Sequence, residues 1–420
     1  MRSLSAYRTS CARRCSRSTI YTGRWPTFKE HFSSGATAMW TTLEPVQLDG
    51  SVLEGGGQIL RNAMSYAAIF RRPLKIEKIR ANRRPPGLKA QHAAGLVLLS
   101  QISQGSHLQS AVMNSQNITF HPGINTPGHY TADPRTAGST TLLLQISLPC
   151  LLCLPPNSHS TLTLKGGTNA AQAPQVDYTQ RVLLPFLNHH FGLEVQLDIK
   201  RRGYWPKGGG ELYVSVPSIQ GKLPAITLKD CGNVVSISGI AYVAGKLPQH
   251  LVNELCASAL RCVQADNLLR GVSNTSIQIL KDSDSLGSGM GIVLVATTDT
   301  GCVIAGTALG VKGKAPKEVG EEAANELARN LREGGCVDEY MQDQMIIFLA
   351  LAEGRSTVRT GPLTLHTRTA IWVAEQMTSA KFTIEEEVTD KGVATNLIHC
   401  DGIGWSYTRP AEAHTEQTGT

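Results

Sequence analysis

Two stretches of this chain repeat one order of elements, and that order limits the fold more than any other feature. From Val46 onward, short strand-like runs alternate with longer amphipathic runs of helical period. The first copy reads strand 46–49, helix 57–70, strand 74–79, helix 89–102, then strands near 107–112 and 117–121. The second reads strand 128–132, helix 137–153, strand 161–165, helix 176–191, then strands 193–200 and 210–216. Each copy is a βαβαββ unit, which points to an α/β protein grown by duplication.

After Pro224 the order changes. Strand 234–243, helix 248–266, strands 275–281 and 290–297, a glycine-rich stretch and helix 317–333 read as a smaller inserted α/β domain. The earlier style returns with helices 338–352 and 367–380 and strands 381–388 and 396–401. The expected plan is a leader over 1–45 that is disordered or targeting, large-domain repeats over 46–223, an inserted domain over 224–336, a further large-domain segment over 337–408, and a flexible tail over 409–420.

The formal charge is +7, but most of it sits at one end. Residues 1–45 hold seven cations (Arg2, Arg8, Arg13, Arg14, Arg17, Arg24, Lys29) against Glu30 and Glu44, and so carry +5 of that +7. Charge alone therefore does not mark the folded body as a nucleic-acid binder. The Arg- and Ser-rich leader reads as a mitochondrial-type targeting segment or as sequence ahead of a start at Met39. No membrane span is expected: the longest apolar run, 142–154, is interrupted by Gln145, Ser147 and Pro149. Cys150 and Cys153 lie within that run and read as buried small hydrophobes rather than metal ligands. The scattered thiols suggest a reducing compartment.

Five segments carry candidate chemistry. Asp49-Gly-Ser-Val-Leu-Glu-Gly-Gly-Gly-Gln-Ile-Leu-Arg61 sets three glycines between a strand and a helix, so backbone N–H groups can meet a phosphate, with Glu54 and Arg61 as a metal contact and an anion contact. Arg80, Arg83 and Arg84 lead into Pro86-Gly-Leu-Lys-Ala-Gln-His92, and guanidinium forks suit phosphate oxygens. Arg201-Arg-Gly-Tyr-Trp-Pro-Lys-Gly-Gly-Gly-Glu211 reads as a hairpin with aromatics that can stack on bases. Tyr340, Asp343 and Gln344 fall at i, i+3 and i+4 and are expected on one helix face. His366 stands where a strand-like run meets a helix, a place that disfavours imidazolium and leaves a ring nitrogen free as a nucleophile.

In order and wording these segments resemble the RNA 3′-terminal phosphate cyclase family from about Val46 to Trp405. The shared blocks include the glycine turn, Pro86-Gly-Leu-x-x-Gln-His92, Thr136-Ala-Gly-Ser139, Lys165-Gly-Gly-Thr-Asn169, Gly203-Tyr-x-Pro-Lys-Gly-Gly-Gly210, Asp338-Glu-Tyr-x-x-Asp-Gln344 and Leu365-His-Thr-x-Thr-Ala-Ile371. Asn82 departs from the glycine that the family commonly has between the two arginines. The resemblance implies three βαβαββ repeats with a smaller α/β domain inserted before the third. It also implies catalysis by His366 through a covalent AMP, with ATP as adenylyl donor, Mg²⁺ or another divalent cation, and an RNA 3′-phosphate as substrate. By the same resemblance Gln145, Pro174, Tyr340, Asp343 and Gln344 would bind the nucleotide. Arg61, Arg80, Arg83 and Gln91 would face phosphate, and Glu54 the metal. A nuclear location follows from the family, and a mitochondrial one from the leader. Two other readings exist: a relative that lacks the histidine and acts in ribosomal RNA processing, and a small-molecule transferase of duplicated barrel type.

Overall fold

A computed structural model describes residues 44–390 and 392–408. The leader, apart from Glu44 and Pro45, and the tail from 409 lie outside the described residues.

Three four-stranded sheets share one spatial order. The first runs Val46–Asp49, Leu74–Glu77, Ile118–His121, His107–Gln109, parallel at its first pair and antiparallel afterwards. The second, His129–Ala132, His159–Gly166, Gly210–Pro217 and Gln196–Arg201, repeats those directions. The third does so again with Thr227–Leu228, Glu353–Thr360, Ala394–Ile403 and Lys381–Val388. The protein is thus α/β, with three copies of the βαβαββ unit. Helices Gly57–Phe70, Ala90–Ile102, Thr140–Leu152 and Leu365–Met377 contribute to one continuous apolar core with the inner faces of these sheets.

Two strands of the third sheet are absent from the sequence reading, for a visible reason. Glu353–Thr360 pairs on both sides, yet three of its buried positions are Ser356, Thr357 and Thr360. Hydroxyls are satisfied there by hydrogen bonds, as where the Ile226 N–H donates to Ser356 Oγ at 3.2 Å. The hydropathy pattern of a buried strand is therefore missing. Its partner Thr227–Leu228 is only two residues long. Because that strand precedes the smaller domain, the insertion enters the third repeat after its first strand.

The inserted sheet runs Asn274–Asp282, Val234–Ala244, Gly289–Thr298, Val303–Leu309. It packs against helices Gln249–Ala265 and Pro316–Arg332 around a second apolar core. Val303–Leu309 is the strand hidden in the glycine-rich stretch. A Cβ at Gly306 would come within 2.2 Å of the Ala323 carbonyl and 2.3 Å of the Leu327 N, so only glycine lets helix and strand approach this closely. The insert meets the second repeat through a buried polar joint. Gln175 Nε2 donates to the carbonyls of Ile292 and Ala308 at 3.2 Å each, and its Oε1 accepts from Tyr242 Oη at 2.8 Å. Beside it Arg202 grips Asp177 with two bonds of 2.6 and 2.5 Å.

Candidate active site

Helix Leu365–Met377 begins at Thr364, whose Oγ1 accepts the N–H of Thr367 at 3.1 Å. His366 is the second residue of the first turn and is exposed. One turn later, Thr369 Oγ1 accepts from the Glu54 N–H at 3.2 Å, which pins the glycine turn to this helix. The three glycines then have a steric cause. Gly55 adopts φ +59°, a Cβ at Gly56 would lie 2.1 Å from both Glu54 carboxylate oxygens, and one at Gly57 would lie 2.5 Å from His92 Nε2. The space beside this turn is filled by the side chains of Glu54, His92 and Arg61.

Glu54 and Arg61, with Arg83, set the field at His366. Although the residue is exposed, its pKa is pushed below the ordinary histidine value, first by partial desolvation; Glu54 opposes the shift, and Arg61 and Arg83 add to it. The neutral imidazole expected from the sequence is thus obtained by desolvation and two guanidinium groups. Arg83 Nη2 donates to Glu54 Oε1 at 2.7 Å, with only 10% of the Glu54 side chain exposed. The other oxygen, Glu54 Oε2, is buried with no hydrogen-bond partner. A buried carboxylate oxygen left open in this way suits a hard divalent cation, so the residue fits the metal role read from the sequence. Among the described residues no cluster of three or more His, Cys, Asp or Glu is arranged to hold a metal. Any such ion would therefore rely on substrate oxygens for its remaining ligands.

Asp343 and Arg61 continue this cluster. Burial pushes the Asp343 carboxyl up to about 7, against the pull of Arg61. Burial likewise lowers Arg61, against the pull of Asp343 and Glu54. Gln58 Nε2 donates to Asp343 Oδ2 at 2.5 Å. Arg80, at φ +53°, is oriented by a bond from its Nε to the Gly87 carbonyl at 3.1 Å, and lies in the field of Arg83 and Glu54.

Tyr340, Asp343 and Gln344 keep their helical spacing, with Tyr340 and Met345 both in right-handed helical backbone and Gln344 Nε2 donating to the Tyr340 carbonyl at 2.7 Å, but their side chains do not act as one group. Helix 338–352 is divided into Met341–Gln344 and Ile346–Leu351, and Tyr340 is the residue before the first piece. The buried Asp338 carboxylate causes this start, accepting the N–H groups of Tyr340 and Met341 at 3.0 and 2.9 Å together with Tyr178 Oη at 2.6 Å. The three side chains then find separate partners. Asp343 turns to Gln58, and Gln344 Oε1 accepts from Gln145 Nε2 at 2.9 Å. Tyr340 Oη donates to Glu326 Oε2 at 3.4 Å, with its ring edge-on to Tyr178.

His366, Glu54, Arg61, Arg80, Arg83 and Asp343 are thus brought together electrostatically, and Gln145 and Gln344 directly. Gln91 and Pro174 attach through the start of helix Thr140–Leu152. Gln91 Oε1 accepts the Ser139 N–H at 3.1 Å, and the Pro174 carbonyl accepts from Thr141 Oγ1 at 2.8 Å. Sequence reasoning assigned no role to Gln58, His92, Asp338, Glu326 or Thr369. Gln58, Asp338 and Thr369 lie inside the blocks quoted above, but each has a partner far away in the chain (Asp343, Tyr178 and Glu54), and periodicity carries no signal for that.

The sequence profile of the family described as "RNA 3'-terminal phosphate cyclase" matches residues 52–384. The chain belongs to the RNA 3′-terminal phosphate cyclase family. All the candidate residues, from Glu54 to His366, fall within the matched span. Among curated members, a "Probable RNA 3'-terminal phosphate cyclase" of Dictyostelium discoideum is 41% identical over 366 residues, covering 86% of this chain and 83% of its own length. The "RNA 3'-terminal phosphate cyclase" of Drosophila melanogaster is 40% identical over 361 residues, covering 86% of this chain and 97% of its own. That of Pyrococcus furiosus is 37% identical over 349 residues, covering 82% and 96%. Members from an amoeba, an insect and an archaeon thus align with repeats and insert alike.

Proposed function

We propose that this chain is an ATP-dependent RNA 3′-terminal phosphate cyclase with His366 as nucleophile. A ring nitrogen of His366 attacks the α-phosphorus of ATP; the bond to the β-phosphate oxygen breaks, and pyrophosphate leaves. An oxygen of the RNA 3′-phosphate then takes the AMP from the histidine. In the last step the adjacent 2′-hydroxyl attacks the 3′ phosphorus, loses its proton, expels AMP and closes a 2′,3′-cyclic phosphodiester. Dividing the cyclisation in this way lets the energy of the ATP anhydride drive an uphill ring closure.

The observation that supports this most directly is the neutral imidazole at a helix start, in the field of Arg61 and Arg83. Neutrality supplies the lone pair, and the guanidinium groups favour the negative charge that builds on the attacked phosphate. In this reading Gln145, Pro174, Tyr340, Asp343 and Gln344 hold the nucleotide, while Arg80, Arg83 and Gln91 orient the RNA phosphate. Glu54 would hold Mg²⁺ through Oε2, and such an ion screens phosphate charge when bound. A nuclear location accompanies the proposal, with mitochondria as the alternative; imaging of chains begun at Met1 and at Met39 separates them.

Incubation with α-labelled ATP tests the first step. The expected product is acid-labile, hydroxylamine-sensitive label on the wild-type protein and none on His366→Ala. Undiminished label on the variant would refute the assignment. A 3′-phosphorylated oligonucleotide is expected to become cyclic, and a 3′-hydroxyl one to stay unchanged.

A further inference from the structure

Cys231, Cys302 and Cys336 come from three separate segments and meet away from His366. Cys231 lies between strand Thr227–Leu228 of the third sheet and strand Val234–Ala244 of the insert, on the inbound crossing. Cys302 sits in the turn between insert strands Gly289–Thr298 and Val303–Leu309. Cys336 lies on the outbound crossing, and its N–H donates to the Arg359 carbonyl of the third sheet at 2.9 Å. The Cys302 sulfur is central, with side-chain hydrogen bonds to both other thiols. It also lies 3.8 Å from the carbonyl of Asp230, the neighbour of Cys231. Thr300 Oγ1 stands 3.6 Å from the same sulfur and 2.7 Å from the Cys231 carbonyl, so one hydroxyl links the two segments. Cys302 and Cys336 are buried, at 4% and 2% exposure, whereas Cys231 keeps part of its surface.

Thiols in contact can hold a soft metal, exchange with disulfides, or pack as inert small hydrophobes as Cys150 and Cys153 do. Cys336 bonds to Cys302 but senses Cys231 only at longer range, and no three His, Cys, Asp or Glu among the described residues converge as a ligand set. Unlike the buried Cys150 and Cys153, this cluster includes the partly exposed Cys231, which admits sulfur exchange.

We propose that Cys231 and Cys302 form a thiol–disulfide exchange site that accepts low-molecular-weight disulfides and closes a bond between the inbound crossing and the insert's own hairpin. Cys231, the least buried of the three, attacks one sulfur of RSSR, its thiol proton passing to the expelled RS⁻, and leaves a mixed disulfide. The Cys302 thiolate then attacks the Cys231 sulfur, expels the second RS⁻ and completes the Cys231–Cys302 bond. Two protein thiols are oxidised, RSSR is reduced to two RSH, and the two thiol protons end on the departing thiolates. With Cys231 in the mixed disulfide its thiol no longer donates, and the Cys336 thiol remains as the cysteine donor to the Cys302 sulfur in the second attack. This site is independent of the catalytic reading.

Oxidised glutathione applied to the full native chain is the probe, followed by alkylation, non-reducing digestion and mass spectrometry. The expected product is a Cys231–Cys302 linked peptide that dithiothreitol removes. Cys302→Ser is expected to lose the link and accumulate a glutathione adduct on Cys231, while Cys336→Ser retains the link. The proposal is overturned if the native wild type forms neither link nor adduct at Cys231 while the urea-unfolded chain reacts. It is equally overturned if Cys302 joins Cys336 with Cys231 still open to alkylation, or if Cys336→Ser abolishes the link.

Discussion

His366 shows how a common residue type acquires a particular state. A histidine at a helix start is ordinary in sequence. Desolvation, Arg61 and Arg83 depress its proton affinity here, and Glu54 limits the effect. Glu326 shows the opposite drift. Burial raises its carboxyl from 4.5 to about 7, even though the Thr307 N–H donates to it at 2.9 Å. The sign of the stability effect follows. Below about pH 4.5 the side chain is protonated in both folded and unfolded states and contributes nothing. As pH rises towards 7 the unfolded chain releases its proton while the folded one keeps it, so stability falls. Glu326→Gln is therefore expected to be about 1–3 kcal/mol more stable than wild type at pH 8, with the difference vanishing near pH 4.5. Urea midpoints at the two pH values measure this, and an equal offset at both would contradict it.

At the scale of elements, the joint between helix Val176–Tyr178 and strand Gln196–Arg201 rests on a buried ion pair. Asp177 is 1% exposed, and Arg202, just past the strand, is 7% exposed, with its guanidinium over the Tyr242 ring at 5.3 Å. Removing one partner leaves the other charge without compensation, so Asp177→Ala is expected to destabilise by about 3–5 kcal/mol. Chemical denaturation checks that value; a loss below about 1 kcal/mol would mean that water reaches Arg202. Most elements were legible in sequence. Helix Gly57–Phe70 and strand Lys381–Val388 have the bounds that periodicity gives them. The separate partners of Tyr340, Asp343 and Gln344 were not legible, because Glu326, Gln58 and Gln145 reach them from other segments of the chain.

For the whole molecule, two apolar cores are joined by polar contacts and by a small apolar cluster in which Tyr178 and Val182 of the second repeat pack on Ile240, Val293, Val295 and Ala305 of the insert. Gln175 ties both strands Gly289–Thr298 and Val303–Leu309 to the second repeat, and Asp338 adds a bond from the Ala305 N–H at 2.9 Å. A joint of this kind transmits cooperativity only while every member is satisfied. Gln175→Ala removes a donor from two carbonyls and an acceptor from Tyr242 Oη, which keeps Asn169. It is expected to convert one calorimetric unfolding transition into two, the insert melting first. A single transition merely shifted in temperature would show that the cores are coupled by other means.

The sequence by itself determined the α/β class, the repeated unit, the glycine turn and the histidine at the head of a helix. Each of these is written in local spacing or local steric need. Tertiary structure alone decided where the insert enters the third repeat, since that depends on a two-residue strand paired to a partner 130 positions away. It alone decided that Gln58 meets Asp343 and that Cys231 meets Cys302, contacts across 285 and 71 positions. It also set the protonation of His366, because desolvation comes from everything packed around a side chain, and no stretch of neighbours in the chain encodes that.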